Sequence, residues 1–320
     1  PMLRYIGRRL LEMIPILLVV AVLIFLMMEF VPGDPVKIIL GDTATPAQIE
    51  EVREQMGFNR PFFVRFFEFF TNALHLDFGS SYITGTSVGE ELLIRFPRTF
   101  KLAIFSVLVT VILGIPIGII CAINANKLSD RIWLVVTLLA NSMPSFWLAL
   151  LLVMLFSLKL KWLPSSGIGS WKNYILPVVS SSVGSLAGIA RQTRASMLEV
   201  IRADYVTTAR AKGLKEKAVI LKHALPNALI PIITVIGSQF SFLMGGTTVI
   251  ESVYSFPGLG SYIIAGINNR DYPIVRGGVL YIAFTFSMMM LLIDIIYAYA
   301  DPRIRAQYAN ASKKKKASKA

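Results

Sequence analysis

Few of the 320 residues are of kinds that break bonds or hold metals. The single cysteine, Cys121, lies inside an uncharged apolar run, where a thiol behaves as a small buried hydrophobe and has no partner for an intrachain disulfide. The two histidines, His75 and His223, fall in segments that the spans below put on opposite sides of a membrane, so they cannot share a metal ion, and no metal site is expected. No GxxxxGK[ST] stretch is present to cradle nucleotide phosphates, so ATP hydrolysis by that route and a catalytic role for this chain are not expected. What remains is polar rather than catalytic. Asn141, Ser142, Ser238, Gln239 and Ser241 sit within apolar runs. There a hydrogen-bonding side chain is costly unless it pairs across helices or lines a water-filled path. Glu29, Glu251 and Asp294 fall near the ends of apolar runs, where interfacial water would solvate them; a proton relay would need acids deeper in the membrane.

The elements that must position these groups follow from composition. Hydrophobic residues make up 55% of the chain, charged residues only 16%, and the mean hydropathy is +0.63. Soluble domains are about 25% charged, so a bilayer is the expected solvent. A span needs about 20 mostly apolar residues. Five runs qualify clearly: Leu10–Val31, Leu102–Ile123, a stretch within Ile132–Leu158, Ala224–Ile250, and Gly277–Ala300, the last interrupted by Asp294. A weaker one lies between Tyr174 and Ala190. Asn141, Ser142 and Pro144 are expected to kink the third span. Ser180, Ser181, Ser182, Gly184, Ser185 and Gly188 allow close packing of the fourth. The expected fold class is therefore all-α integral membrane, with six spans and both termini on one side.

Charge placement gives the side. The net charge is +13, from 32 basic and 19 acidic residues. In a soluble protein that surplus would suggest nucleic acid, but here it flanks the apolar runs, and no nucleic-acid partner is expected. The start of the chain carries Arg4, Arg8 and Arg9, loop 191–223 has eight basic residues against three acids, and the tail after Asp301 has seven basic residues. Segment 32–99 instead holds nine acids and six basic residues. Lys159, Lys161 and Lys172 fall on the other side without reversing the balance. Both termini are thus expected in the cytoplasm. The first span lacks a small-residue cleavage site and is too long for a signal peptide's apolar core, so it is expected to be retained.

Segment 32–99 reads as a helical extracytoplasmic insertion. Thr45-Pro46-Ala47-Gln48 combines an N-cap hydroxyl, proline at the first helical position and a reciprocal Gln, predicting a helix from Pro46 to about Met56 that stops at Gly57. A second helix follows Pro61; Phe62, Phe63, Phe66, Phe67, Phe69 and Phe70 suit it to the membrane interface or to the flank of the spans. Ser87-Val88-Gly89-Glu90 predicts a short helix ending before Pro97. The remaining units are 1–31, the start and first span; 100–300, spans two to six; and 301–320, a basic tail.

Loop 191–223 is the most informative stretch. Asp204 is placed to cap a two-turn helix from Tyr205 to about Lys212, with Gly213 ending it at positive φ. Such a helix, about 12 Å long, is too short to persist alone and needs a partner. Tyr205, Val206 and Ala209 form its small-to-apolar stripe, and Arg210, Lys212 and Lys215 a basic rim.

The order Asp204-Tyr205-Val206-Thr207-Thr208-Ala209-Arg210-Ala211-Lys212-Gly213-Leu214, followed by His223-Ala224-Leu225-Pro226, resembles the EAA motif of ABC importer permeases. Thr207 stands where that family has Glu, and His223 where it has Ile. Within the family the segment is similar to the dipeptide, oligopeptide and nickel permeases. Val31-Pro32-Gly33-Asp34-Pro35, Tyr254-Ser255-Phe256-Pro257-Gly258-Leu259-Gly260, Arg270-Asp271-Tyr272-Pro273 and Asp301-Pro302-Arg303-Ile304-Arg305 carry the same resemblance, in the same order, to the dipeptide permease B type. That type has a large insertion between spans one and two.

The resemblance implies a type I permease fold in a bacterial cytoplasmic membrane. It implies that residues 204–214 form a coupling helix seated in an ATPase, with Leu225 and Pro226 completing the motif. The chain would form half of a channel with a homologous permease of the dipeptide permease C type. Two ABC ATPase subunits would bind ATP and Mg, and an external binding protein would deliver short peptides. Nickel chelates, haem or glutathione are alternative cargoes. A secondary transporter working without ATPases is the rival from another class; it would show charged coupling sites near the midplane, which this sequence lacks.

Overall fold

The computed structural model describes residues 2–31, 34–41 and 43–300, whose regular structure is helical apart from one isolated bridge between Ser80 and Ser87. The Pro32-Gly33 pair, the Asp301–Arg305 motif and the Lys313–Lys316 run lie outside the described residues. The first span is α1 (Met2–Phe30). Three short helices follow: α2 (Pro35–Leu40), α3 (Pro46–Gln55) and α4 (Phe62–Ala73). Thr45 and Gln48 form the reciprocal capping box expected of them, and Gly57 has φ +70°. In α4, Phe62, Phe66 and Phe69 surround Phe25 of α1 at 5.2–5.8 Å between ring centroids, so the phenylalanine helix packs along the first span.

The second span, α5 (Val88–Ile123), is one continuous helix of 36 residues, capped by Ser87 accepting from the Glu90 amide. The expected short helix ending before Pro97 is therefore corrected: Pro97 lies inside α5. It sits in the part of the helix that precedes the apolar span, beside the exposed Leu93 and Ile94, where a carbonyl freed by proline can meet water. Val88 and Leu92, fully buried in the cluster around Phe25 and Tyr281, hold this extension in line.

The third apolar stretch is broken. Helix α6 (Leu128–Ser142) and helix α7 (Ser145–Leu152), which continues as a π-helix through Lys159, meet at 96° across Met143-Pro144. The kink expected there is thus closer to a right angle. Span four, α8 (Lys172–Ile201), is 30 residues long and takes in 191–201, which the sequence assigned to a loop. The reason is electrostatic: Arg194 is neutralised by Asp130 of α6, with Nε–Oδ1 and Nη2–Oδ2 both at 2.7 Å and Asp130 only 1% exposed. A charged helix face that finds its counter-ion need not leave the bundle.

After α9 (Asp204–Ala211), the chain enters the fifth span through α10 (Glu216–Ala218) and a π-helical turn, Val219–Ala224, into α11 (Leu225–Gly246). Helices α12 (Thr248–Val253) and α13 (Leu259–Asn268) cap the bundle before the last span, α14 (Tyr272–Ala300). Among the described residues five helices are long and apolar enough to cross a membrane, or six if the bent pair is counted as one span. Arg9 of α1 pairs with Asp294 of α14 at 3.1 Å, which puts the start of span one and the end of span six on one face, here called the terminal face. Helices α2 to α4 and α13 lie at the opposite, cap face.

Candidate functional site

Helix α9 is seated on its own chain. Val206 is fully buried and Ala209 nearly so, in a cluster with Val219, Ile220 and Ala224 of the π-turn and Met197 of α8. Burying a valine side chain is worth about 1.5–3 kcal/mol, which helps explain how an eight-residue helix persists. Two expectations change here. The N-cap is Ala203 and not Asp204, which is the first helical residue and makes no capping bond. The Val206–Ala209 stripe faces inward, so the side left open carries Tyr205, Thr208 and Lys212. Gly213 ends the helix at φ +75°, as its position suggested.

The rest of the loop is braced. Both Glu216 carboxylate oxygens take Arg210, at 2.8 and 3.1 Å, which raises the guanidinium's already high pKa, and Arg210 also reaches the Ile201 carbonyl at 3.5 Å. Pro226 occupies the first turn of α11, where a missing N–H costs little. The π-turn before it brings Leu225 onto the cluster that seats α9, although Leu225 lies 13 positions beyond Lys212, while Pro226 stays exposed.

The second feature is a cavity of about 280 Å³ at the break in span three. Asn141, Ser181, Ser185 and Gln239 bring polar groups to it, and Met143 and Phe242 close it with apolar surface. The Ser185 hydroxyl donates to Gln239 Oε1 at 3.1 Å, linking spans four and five. Among the described residues no charged one lines it. Such a wall offers hydrogen bonds to amide and hydroxyl groups without selecting a sign of charge.

Of the polar residues singled out in the sequence, Asn141 and Gln239 line this cavity and the other three do not. The Ser142 hydroxyl donates to the Leu138 carbonyl, and that of Ser238 to the Thr234 carbonyl. Ser241 is buried, its hydroxyl without a partner among the described residues. Ser181 and Ser185 were assigned to packing. They line the cavity, as does Ser180, and packing bonds run from Ser185 to Gln239, from Ser180 to the Tyr254 hydroxyl at 2.8 Å and from Ser182 to the Ser106 carbonyl at 3.1 Å. The signal was in the spacing: 181, 184 and 185 share one helical face.

Glu251 also departs from expectation. It is fully buried and not solvated at an interface. One carboxylate oxygen accepts from Thr99 Oγ1 at 2.7 Å and Thr247 Oγ1 at 3.2 Å, the other from the Ser261 amide at 3.0 Å. Those bonds tie α5, α12 and α13 together around the Tyr254–Gly260 loop. A Cβ on Gly258 would lie 2.4 Å from the Glu251 carboxyl, so the glycine is required by close approach. Glu29 and Asp294 are likewise paired, with Arg65 at 2.6 Å and with Arg9. Among the described residues no group of three or more His, Cys, Asp or Glu is placed to hold a metal.

Comparison with known proteins places this architecture. Residues 114–306 match the family model described as binding-protein-dependent transport system inner membrane component, and residues 2–103 match the model of its N-terminal region. The glutathione transport system permease protein GsiC of Escherichia coli K12 is 41% identical over 304 residues, covering 95% of this chain and 99% of its own. GsiC of Salmonella choleraesuis is 42% identical over the same span. Among solved structures, the MetNI methionine ABC transporter in an inward-facing conformation shares the fold, with a TM-score of 0.55 at 17% identity, covering 66% of this chain and 96% of that one. The chain therefore belongs to the binding-protein-dependent transport system inner membrane component family, the membrane-spanning permeases of ABC importers.

Proposed function

We propose that this chain forms one half of an import channel for short peptides, with glutathione, a tripeptide, as the first cargo to test. The observation that carries the cargo is the 41% identity, over nearly the whole length of both chains, to permeases named for glutathione transport. The uncharged cavity supports it, because neutral hydrogen-bonding groups suit a peptide backbone. The second half of the channel would come from a homologous permease, and an external binding protein would deliver the cargo to the cap face.

Helix α9 is proposed as the ATPase-docking element. Its inner side is fixed to α8 and α11, so a push on Tyr205, Thr208 and Lys212 is transmitted to both spans. Through Arg194 and Asp130, α6 would follow α8, and Asn141 at the far end of α6 would move with it. Nucleotide binding by two ATPase subunits, each holding ATP and Mg, would supply the push; this chain's part is to carry it to the cavity. Basic residues concentrated at the terminal face and in residues 202–222 support a cytoplasmic location for that face.

Uptake of labelled glutathione and labelled dipeptides by cells expressing the whole operon tests the cargo. Glutathione uptake that excess dipeptide does not suppress supports the narrow reading. Dipeptide uptake without glutathione uptake replaces it with the broader one.

A further inference from the structure

An arginine at the cap face makes no salt bridge among the described residues, although Glu29 lines the same cavity. The Arg276 guanidinium, one turn into α14, lies 4.2 Å from the Phe25 ring centroid and 5.6 Å from that of Tyr272. Its Nε is buried and has no hydrogen-bond partner among the described residues. The acids around it are engaged elsewhere. Glu29 takes Arg65, Asp34 takes Arg53, and Asp271 accepts from Ser81 Oγ at 2.5 Å and the Tyr82 amide at 3.2 Å. Burial pushes the Tyr82 hydroxyl up to about 12, so it is a neutral neighbour and no counter-ion. A planar guanidinium in this state is matched by an oxyanion that can accept two of its N–H groups at once.

The surroundings narrow the choice of oxyanion. Arg276 and Arg65 line two adjoining cavities of about 440 and 280 Å³. The larger is also walled by Glu29, which pairs with Arg65, and by Asp34 and Arg53, which pair with each other, and the smaller by Glu68, Asp77 and Phe78. Phe78 is in turn one wall of a third cavity, about 240 Å³ and apolar, between α1, α4 and α14. Leu280 and Phe284 line it, roughly 6 and 12 Å further along α14 than Arg276 at 1.5 Å per residue. A cation on one side of Phe78 and an apolar slot on the other, lined further along α14, match a head group and an acyl chain. A free anion or a docked carboxylate would leave the slot empty.

We propose that these neighbouring cavities together bind one phospholipid, its phosphodiester on Arg276 and an acyl chain passing Phe78 into the apolar slot. Glu68 and Asp77 beside the arginines favour a head group carrying an amine, as in phosphatidylethanolamine, over one without a cation. The site does not depend on which cargo the channel carries.

Native mass spectrometry of the complete complex, purified in mild detergent and then incubated with phosphatidylethanolamine or phosphatidylglycerol, tests this. The wild type should retain one phosphatidylethanolamine through delipidation and prefer it over phosphatidylglycerol. Arg276→Gln should lower retention about tenfold. Ile14→Trp, which narrows the slot from an exposed position on α1, should do the same without touching the cation, and remains informative if Arg276→Gln does not assemble. Inorganic phosphate should not displace the lipid. Unchanged retention in either assembled variant overturns the proposal. So does displacement by phosphate, which would mark a simple oxyanion site, or loss of binding-protein affinity with lipid retained, which would mark a docking carboxylate as the occupant.

Discussion

Breaking the Arg194–Asp130 pair from its two ends should cost unequal amounts. Asp130 is 1% exposed, and three donors hold it: Arg194 Nε and Nη2 at 2.7 Å and the Asn126 amide at 2.9 Å. Arg194→Ala leaves that carboxylate buried with one donor, the case in which removing one partner of a buried pair costs about 3–5 kcal/mol. Asp130→Ala leaves a guanidinium that is 22% exposed and can turn toward water, so the loss should fall below that range, at about 2 kcal/mol. The double variant strands no charge, and its cost should fall short of the sum by about 2 kcal/mol. Unfolding in mixed micelles, followed by tryptophan fluorescence, gives all three differences. Additive costs, or a larger loss from the aspartate side, would show that the pair is an exposed contact and would remove the proposed link from α8 to α6.

The close α5–α8 contact is tested by Gly118→Leu. A Cβ at Gly118 already lies 2.5 Å from Thr193 Cβ and 2.6 Å from the Ala190 carbonyl, so the variant should lose about 1–3 kcal/mol or more in the same unfolding assay. Gly213→Pro should abolish transport-linked ATPase stimulation while membrane insertion continues, since proline cannot take φ +75°; normal stimulation would remove the coupling role from α9. Ala209→Glu drives a charge into the chain's own cluster and should unseat α9, read as rapid protease cleavage in residues 202–215. Tyr205→Ala, on the open side, should leave that protection intact and lower ATPase recovery instead.

What was legible in the sequence was local or periodic. The Thr45–Gln48 box, the stops at Gly57 and Gly213, the apolar runs and the two-turn helix after Ala203 depend on neighbours within a turn or on hydrophobic length. What was missed depended on distant partners. Arg191 and Arg194 read as loop because hydropathy does not register that Asp130, 64 residues away, neutralises Arg194. Glu251 read as an interfacial acid because its donors come from Thr99 and Ser261. Pro97 read as a stop because the packing of Val88 and Leu92 that carries the helix through it is not local. The inward side of α9 was missed for the same reason: Val206 and Ala209 of its stripe are buried while Tyr205 is exposed, and the surface they meet is a π-turn that no sequence pattern announced.

The account is tested most directly by affinity capture of the tagged chain in mild detergent, with mass spectrometry of what survives a moderate salt wash. It expects a second, homologous permease and two P-loop ATPases in fixed ratio, with the ATPases lost when Tyr205 and Thr208 are replaced together. Recovery of this chain alone, still transporting after reconstitution without nucleotide, would contradict it.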